Sequence, residues 1–199
     1  MSLINNKHII APLLDFRSED DFYHLQIIKR KKEHPELGSK SYIVKTYYIR
    51  SIDYLEKKWN EICALCTLHN ARAYINLNVR SFERTAFQTL KKVTDQIMNK
   101  DFKSVRKAYE SVCGEFGTGR DNRWVIDIDE PEISPLMMTF IDYRCEPIND
   151  TVYTSKIITK LPTKNGWHLI TSPFNMLTFK NQYPDVDVHK NSPTILFIP

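Results

Sequence analysis

Glycine is scarce, with five residues in 199, and cysteine is scarcer still at four. So little glycine excludes collagen-like and glycine-rich chains. Four cysteines at this length make no disulfide scaffold, which leads us to expect a reducing, cytoplasmic setting. No apolar run approaches the roughly 20 residues of a membrane span. The opening Met1–Lys7 lacks the charged-then-apolar pattern of a secretion signal. Repeats and low-complexity tracts are also missing, so the secreted, membrane-spanning and fibrous classes fall away and no membrane partner is expected. What is present, 42% hydrophobic and 26% charged residues, suits one folded domain over 1–199.

Charge and backbone-breaking residues divide the chain unevenly. Residues 1–100 hold 17 Lys and Arg against 11 Asp and Glu, whereas residues 101–199 hold 11 against 13. A basic half attracts polyanions and an acidic half holds cations, although ordinary solvated lysines give the same count. Eight of the ten prolines fall between Pro131 and Pro199, and four of the five glycines between Gly114 and Gly166. This predicts a helix-rich basic part over 1–115 and a strand-rich part over 116–199.

The β-branched and aromatic run Ser41–Ile49 predicts a strand. Ser51 then caps a helix with Ile52, Leu55, Trp59, Ile62 and Cys66 on one face and a stop at Asn70. Ala71–Val79 alternates as a strand, and Ser81–Cys113 reads as helix broken near Asn99–Asp101. A glycine-bearing loop follows at Gly114–Arg120. Arg123–Asp129 is the next strand, and Pro131 suits the first turn of a helix running to Arg144. Strands at Thr151–Leu161 and Trp167–Thr171, joined by a turn at Pro162–Gly166, form a hairpin, and Thr194–Ile198 is the last strand. The expected class is α+β, with a mixed α/β core and antiparallel hairpins in the C-terminal half.

Two local features carry chemistry. In Trp124-Val125-Ile126-Asp127-Ile128-Asp129, alternation sets the two aspartates on one face of a strand and Trp124, Ile126 and Ile128 on the other. Neighbouring carboxylates repel unless a cation or proton is shared, and a divalent metal relieves this. A solvated acidic edge, or Asp129 capping the helix before Pro131, is the bland alternative. In Thr163-Lys164-Asn165-Gly166-Trp167-His168, a hydroxyl, an ammonium, a glycine amide and an imidazole can all meet a phosphate. The bland alternative is an ordinary turn with a satisfied histidine.

Taken in order, a hydrophobic strand ending DhD and, 39 residues after Asp129, a histidine on a hairpin resemble the archaeo-eukaryotic primase superfamily. Many members of that family place serine two residues before the histidine, where this chain has Gly166 and its hydroxyl at Thr163. The resemblance covers 124–187 and implies a primase-polymerase-like core that performs metal-dependent nucleotidyl transfer. It implies Mg²⁺ or Mn²⁺ bound by Asp127, Asp129 and a third acid, for which Asp187 is the best candidate and Asp185 the next. Thr163, Lys164, Gly166 and His168 then become nucleotide-binding residues. The implied partners are nucleoside triphosphates, a nucleic-acid template or primer, and a helicase or other replication protein. The rival readings are a non-catalytic nucleic-acid-binding accessory protein, a metal-dependent nuclease, and a protein-interaction domain.

Other motifs are weaker. Cys63, Cys66, His69 and Cys113 have zinc-like spacing, but buried thiols are the better reading. GEFGTG at 114–119 leaves a helix rather than a strand, which is the wrong context for a dinucleotide fingerprint; as a lid it would set Arg120 and Arg123 on phosphate, and a plain connection is the simpler reading. Lys29–Lys32 reads as a phosphate-binding run or a solvated helix face. Tyr47, Tyr48, Tyr74 and Phe82 read as base-stacking groups or, more simply, as core.

Overall fold

The computed structural model describes residues 3–38, 40–115, 117–146 and 155–199. In chain order the first elements are β1 (Ile4–Asn5), α1 (Lys7–Ile10), β2 (Asp21–Lys29), β3 (Tyr42–Ile49), α2 (Ile52–His69), β4 (Arg72–Ile75) and β5 (Arg80–Ser81). Then come α3 (Phe82–Met98), α4 (Phe102–Val105), α5 (Ala108–Glu115), β6 (Trp124–Ile128) and α6 (Pro135–Arg144). The chain closes with β7 (Ile157–Pro162), β8 (Trp167–Thr171), α7 (Met176–Gln182), β9 (Asp187–His189) and β10 (Thr194–Ile198). The expected strand start at Thr151–Thr154, and Phe116 of the glycine-bearing loop, lie outside the described residues.

Two antiparallel sheets organise the molecule, so the α+β class holds. The larger runs β1-β10-β4-β2-β3, with β5 paired to the start of β2; the smaller runs β7-β8-β6-β9. The N-terminal part is therefore not simply helical: it supplies most of the larger sheet, and the last strand returns to sit between β1 and β4.

Helix α2 forms as its sequence requires. The Ser51 hydroxyl accepts from the Tyr54 amide at 3.0 Å, and Asn70 ends the helix in the left-handed conformation. Leu55, Ile62 and Cys66 are fully buried against the larger sheet. Strand β4 stops at Ile75, four residues short of the expected end. The side chain of Asn76 turns the chain instead, accepting from the Asn78 amide at 2.9 Å and donating to the Asn191 carbonyl oxygen at 2.7 Å. Helix α6 begins at Pro135 rather than Pro131, so Asp129 caps no helix; Ser134 is the residue before the first turn. The run Lys29–Lys32 is the end of β2 and the start of a 3-10 turn, not a helix face.

The smaller sheet is built as β6-α6-β7-β8-α7-β9, two interleaved β-α-β units that leave β6 and β8 central. One face, bearing Trp124, Ile126, Ile128 and Leu169, packs on Met137, Ile141, Phe174 and Phe179. From the other face Val125, Leu161 and Ile170 join the core under the larger sheet. Asn6 fastens the two sheets, donating to the carbonyl oxygens of Pro162 at 3.0 Å and Ile195 at 2.9 Å. None of the described helices is long and apolar enough to cross a membrane.

Candidate functional site

Asp127 lies near the end of central strand β6. Opposite it stand His168 on β8 and Asp187 on β9, each its register partner. Strand pairing thus delivers three residues, 41 and 60 positions apart from Asp127, to one row across the sheet. His168 Nε2 is 3.4 Å from Asp127 Oδ1, and His168 Nδ1 shares a 2.7 Å hydrogen bond with Thr194 Oγ1. Thr194 is fully buried at the start of β10, so the imidazole is held from behind and turns Nε2 toward Asp127. That imidazole, against the effect of burial, keeps the Asp127 carboxyl below the usual carboxylate range, and His189 and Arg30 add positive potential. Asp127 is an anion, with 40% of its side chain open to solvent.

Asp129 is exposed, one residue beyond the end of β6, and Asp187 is exposed at the start of β9. Antiparallel partners bring Asp127 and Asp187 side by side, where like charges oppose each other. The donor set is all carboxylate oxygen, which suits Mg²⁺ or Mn²⁺ rather than a soft metal. Among the described residues no three His, Cys, Asp or Glu side chains already stand together as a metal cage. Asp127, Asp129 and Asp187 are neighbours along and across strands, without forming such a three-ligand group.

The hairpin tip between β7 and β8 has its own geometry. The Gly166 amide donates to Thr163 Oγ1 at 3.1 Å, and the Thr163 amide donates to the Gly166 carbonyl oxygen at 2.9 Å. The expected phosphate donor at Gly166 is thus already used within the turn. Its lack of a side chain serves another purpose: a Cβ there would lie 2.0 Å from the Ile128 carbonyl oxygen and 3.0 Å from that of Glu130. The tip folds against the segment that carries Asp129, and Trp167 Nε1 donates to the Pro131 carbonyl oxygen at 2.8 Å nearby. Lys164 reaches across to Glu33 at 2.8 Å, and Glu33 also pairs with the buried Arg72 of β4. Burial works against the Glu33 carboxylate, but Lys164 and Arg72 hold its pKa below the usual range.

Arg30 belongs to the basic run already singled out, whereas the residues missed at the level of sequence are Thr194, Glu33, Arg72 and His189. None sits in a recognisable motif; only the pairing of distant strands brings them to Asp127 and Lys164. Other candidates have structural partners. Arg120 bonds Asp21 at 2.6 Å, and Arg123 donates to the Leu13 carbonyl oxygen at 2.6 Å, so both belong to the scaffold. Tyr47 is core, while Tyr48 and Phe82 pack with Phe22. The four cysteines are free, and burial pushes the Cys66 and Cys113 thiols up to about 12, the reverse of a thiolate metal ligand. A surface cavity of about 350 Å³ lies at the Trp124 end of β6, lined also by Asn78, Lys190 and Asn191, and includes none of the candidate residues. Comparison of the chain with protein-family models, with curated proteins and with solved structures yields no match.

Proposed function

We propose that this chain carries a primase-polymerase-like site for metal-dependent nucleotidyl transfer from nucleoside triphosphates onto a nucleic-acid primer or template-bound strand. The observation that carries the reading is the row Asp187, Asp127, His168 across three paired strands, with Asp129 following. An imidazole beside ionised carboxylates offers a phosphate donor next to a cation site, which is what a triphosphate needs.

In this reading Asp127, Asp129 and Asp187 hold Mg²⁺ or Mn²⁺, whose Lewis acidity would stabilise the attacking and leaving oxygens. The 3′-hydroxyl oxygen forms a bond to the α-phosphorus, the bond from that phosphorus to the bridging oxygen breaks, and pyrophosphate leaves. The hydroxyl proton passes to solvent. His168, braced by Thr194, presents Nε2 to the phosphates. Lys164 would have to leave Glu33 to join it, and Thr163 orders the turn with Gly166. Arg30, half-buried just past the end of β2, supplies positive potential on the side of the larger sheet, where template or primer phosphates would run. A helicase or other replication protein is the partner class such an activity calls for.

Titration of a fluorescent nucleoside triphosphate in the presence and absence of Mn²⁺ tests the reading. Wild type should bind only with the metal, and Asp127→Asn should abolish binding. His168→Ala should weaken it roughly ten- to a hundredfold, the worth of one charge-assisted hydrogen bond. Circular dichroism checks that each variant is folded. Equal binding by wild type and variants would defeat the proposal. Salt-sensitive oligonucleotide binding indifferent to metal would put the accessory reading in its place, and shortening of oligonucleotides without triphosphate would favour a nuclease.

A further inference from the structure

Helix α3 has two unlike faces. Thr85, buried, and Lys92, which reaches Ser111 at 2.8 Å and Glu115 at 2.5 Å, face α5. The opposite face carries Phe87, Leu90, Thr94 and Ile97 at 3-4-3 spacing, with Met98 adjoining. These apolar side chains are open to water: Phe87 is 66% exposed, Leu90 65%, Ile97 49% and Met98 76%. Phe102, which opens α4 just after the end of α3, is likewise 66% exposed. Single exposed leucines are ordinary, but a continuous stripe at helical spacing marks a contact surface. The 3-4-3 spacing is that of a seam that receives another helix.

The surroundings of the stripe select its occupant. Arg84, Lys91, Lys100, Lys103, Arg106 and Lys107 are exposed around it, against Glu83, Asp95 and Asp101. A second copy of this chain would set one basic rim on another, which disfavours self-association. A nucleic acid would use the lysines and could stack on Phe87 and Phe102, but it would leave Leu90, Ile97 and Met98, most of the apolar surface, without a partner. We infer that this face docks an amphipathic helix with acidic flanks, belonging to another protein. The inference is independent of the nucleotidyl-transfer reading.

Two fluorescein-labelled synthetic helical peptides test it. They share one leucine seam but carry glutamate or lysine at the flanking positions, and binding is read by fluorescence anisotropy. The glutamate peptide should bind at least tenfold more tightly than the lysine peptide. Leu90→Asp, and the milder Leu90→Gln, should each weaken it by a further tenfold or more while leaving thermal unfolding and triphosphate binding unchanged. Lys91→Glu with Lys103→Glu should reverse the preference. Equal binding of the two peptides would overturn the inference. So would a dimer in light scattering that Leu90→Asp dissolves, or binding of single-stranded oligonucleotide or anionic vesicles that Leu90→Asp reduces.

Discussion

At position 166 the absence of a side chain sets how near the β7–β8 tip can come to the end of β6. The Ile128 and Glu130 carbonyl oxygens occupy the space a methyl group would take, and both are backbone atoms that cannot swing aside. Gly166→Ala must therefore part the tip from the strand end. It should cost about 1–3 kcal/mol, the range of overpacking in a tight site. Urea unfolding should show a lower midpoint at unchanged slope, and an unchanged midpoint would disprove the close approach. The glycine was legible as a place where the backbone comes close, but its physical role was not: the residues of the turn suggested a cradle for phosphate, and a steric fit is what the turn needs. His168 was legible from its motif. Its partner Thr194 was not, because a lone threonine opening an apolar strand carries no local signal, and its burial comes from the return of β10 into the larger sheet.

Between elements, Glu61 shows how α2 is fixed to β3. It accepts from Tyr47 at 2.8 Å and Lys58 at 2.8 Å, and it also pairs with Lys45. These donors, Lys45 foremost, hold its carboxyl down to about 2. A carboxylate depressed on folding adds stability above its unfolded value, about 4.3, and loses it as pH falls through the folded one. Glu61 is about one-third exposed, so water screens the pairs and the gain stays within about 1 kcal/mol. Wild type should thus be more stable than Glu61→Gln in urea at pH 7, with the gap closing between about pH 4.3 and 2; a gap that persists at the acid end would contradict the assignment. Helix α2 was readable because its apolar face recurs with helical period under a serine cap. Strand β2 was not readable, because it is buried on both faces and carries polar residues that other elements satisfy. Asp21 accepts from Arg120 and two backbone amides, and His24 meets Glu110 at 3.1 Å. Such residues erase the alternation that marks a half-exposed strand. The start of α6 was misplaced because two prolines, Pro131 and Pro135, satisfy the same first-turn rule.

Over the whole molecule the two sheets are joined by threading and by a polar hub, and neither leaves a trace in local sequence. Residues 116–199 build the smaller sheet and then return β10 to the larger one, so a division near residue 115 does not separate two sheets. The hub is Asn191, between β9 and β10. Its side-chain oxygen accepts from Arg80 at 3.0 Å and from Asn78 and Asn76 at 3.3 Å, and its amide donates to the carbonyl oxygens of Gly114 and Glu115. Arg80 is fully buried and among the described residues bonds only neutral acceptors, including the Cys113 carbonyl oxygen at 2.8 Å, and burial pulls its guanidinium down to about 10. A buried cation with no carboxylate among the described residues to neutralise it depends on each of these oxygens. Asn191→Ala removes one of them and cuts the tether at the end of β9, while the Asn78 amide keeps the carbonyl oxygens of Arg123 and Lys190. The expected loss is about 2–4 kcal/mol, more than one neutral hydrogen bond, because a charged donor is left short of a partner. The effect should also reach the candidate site, since β9 pairs with β6 over only three residues and carries Asp187 and His189. Hydrogen exchange should find the β9 amides opening in Asn191→Ala before the rest of the smaller sheet, with the β7–β8 hairpin still protected. If β9 stays protected and stability falls by less than about 0.5 kcal/mol, the range of an ordinary surface substitution, then strand pairing alone holds Asp187 beside Asp127 and the hub serves only the larger sheet.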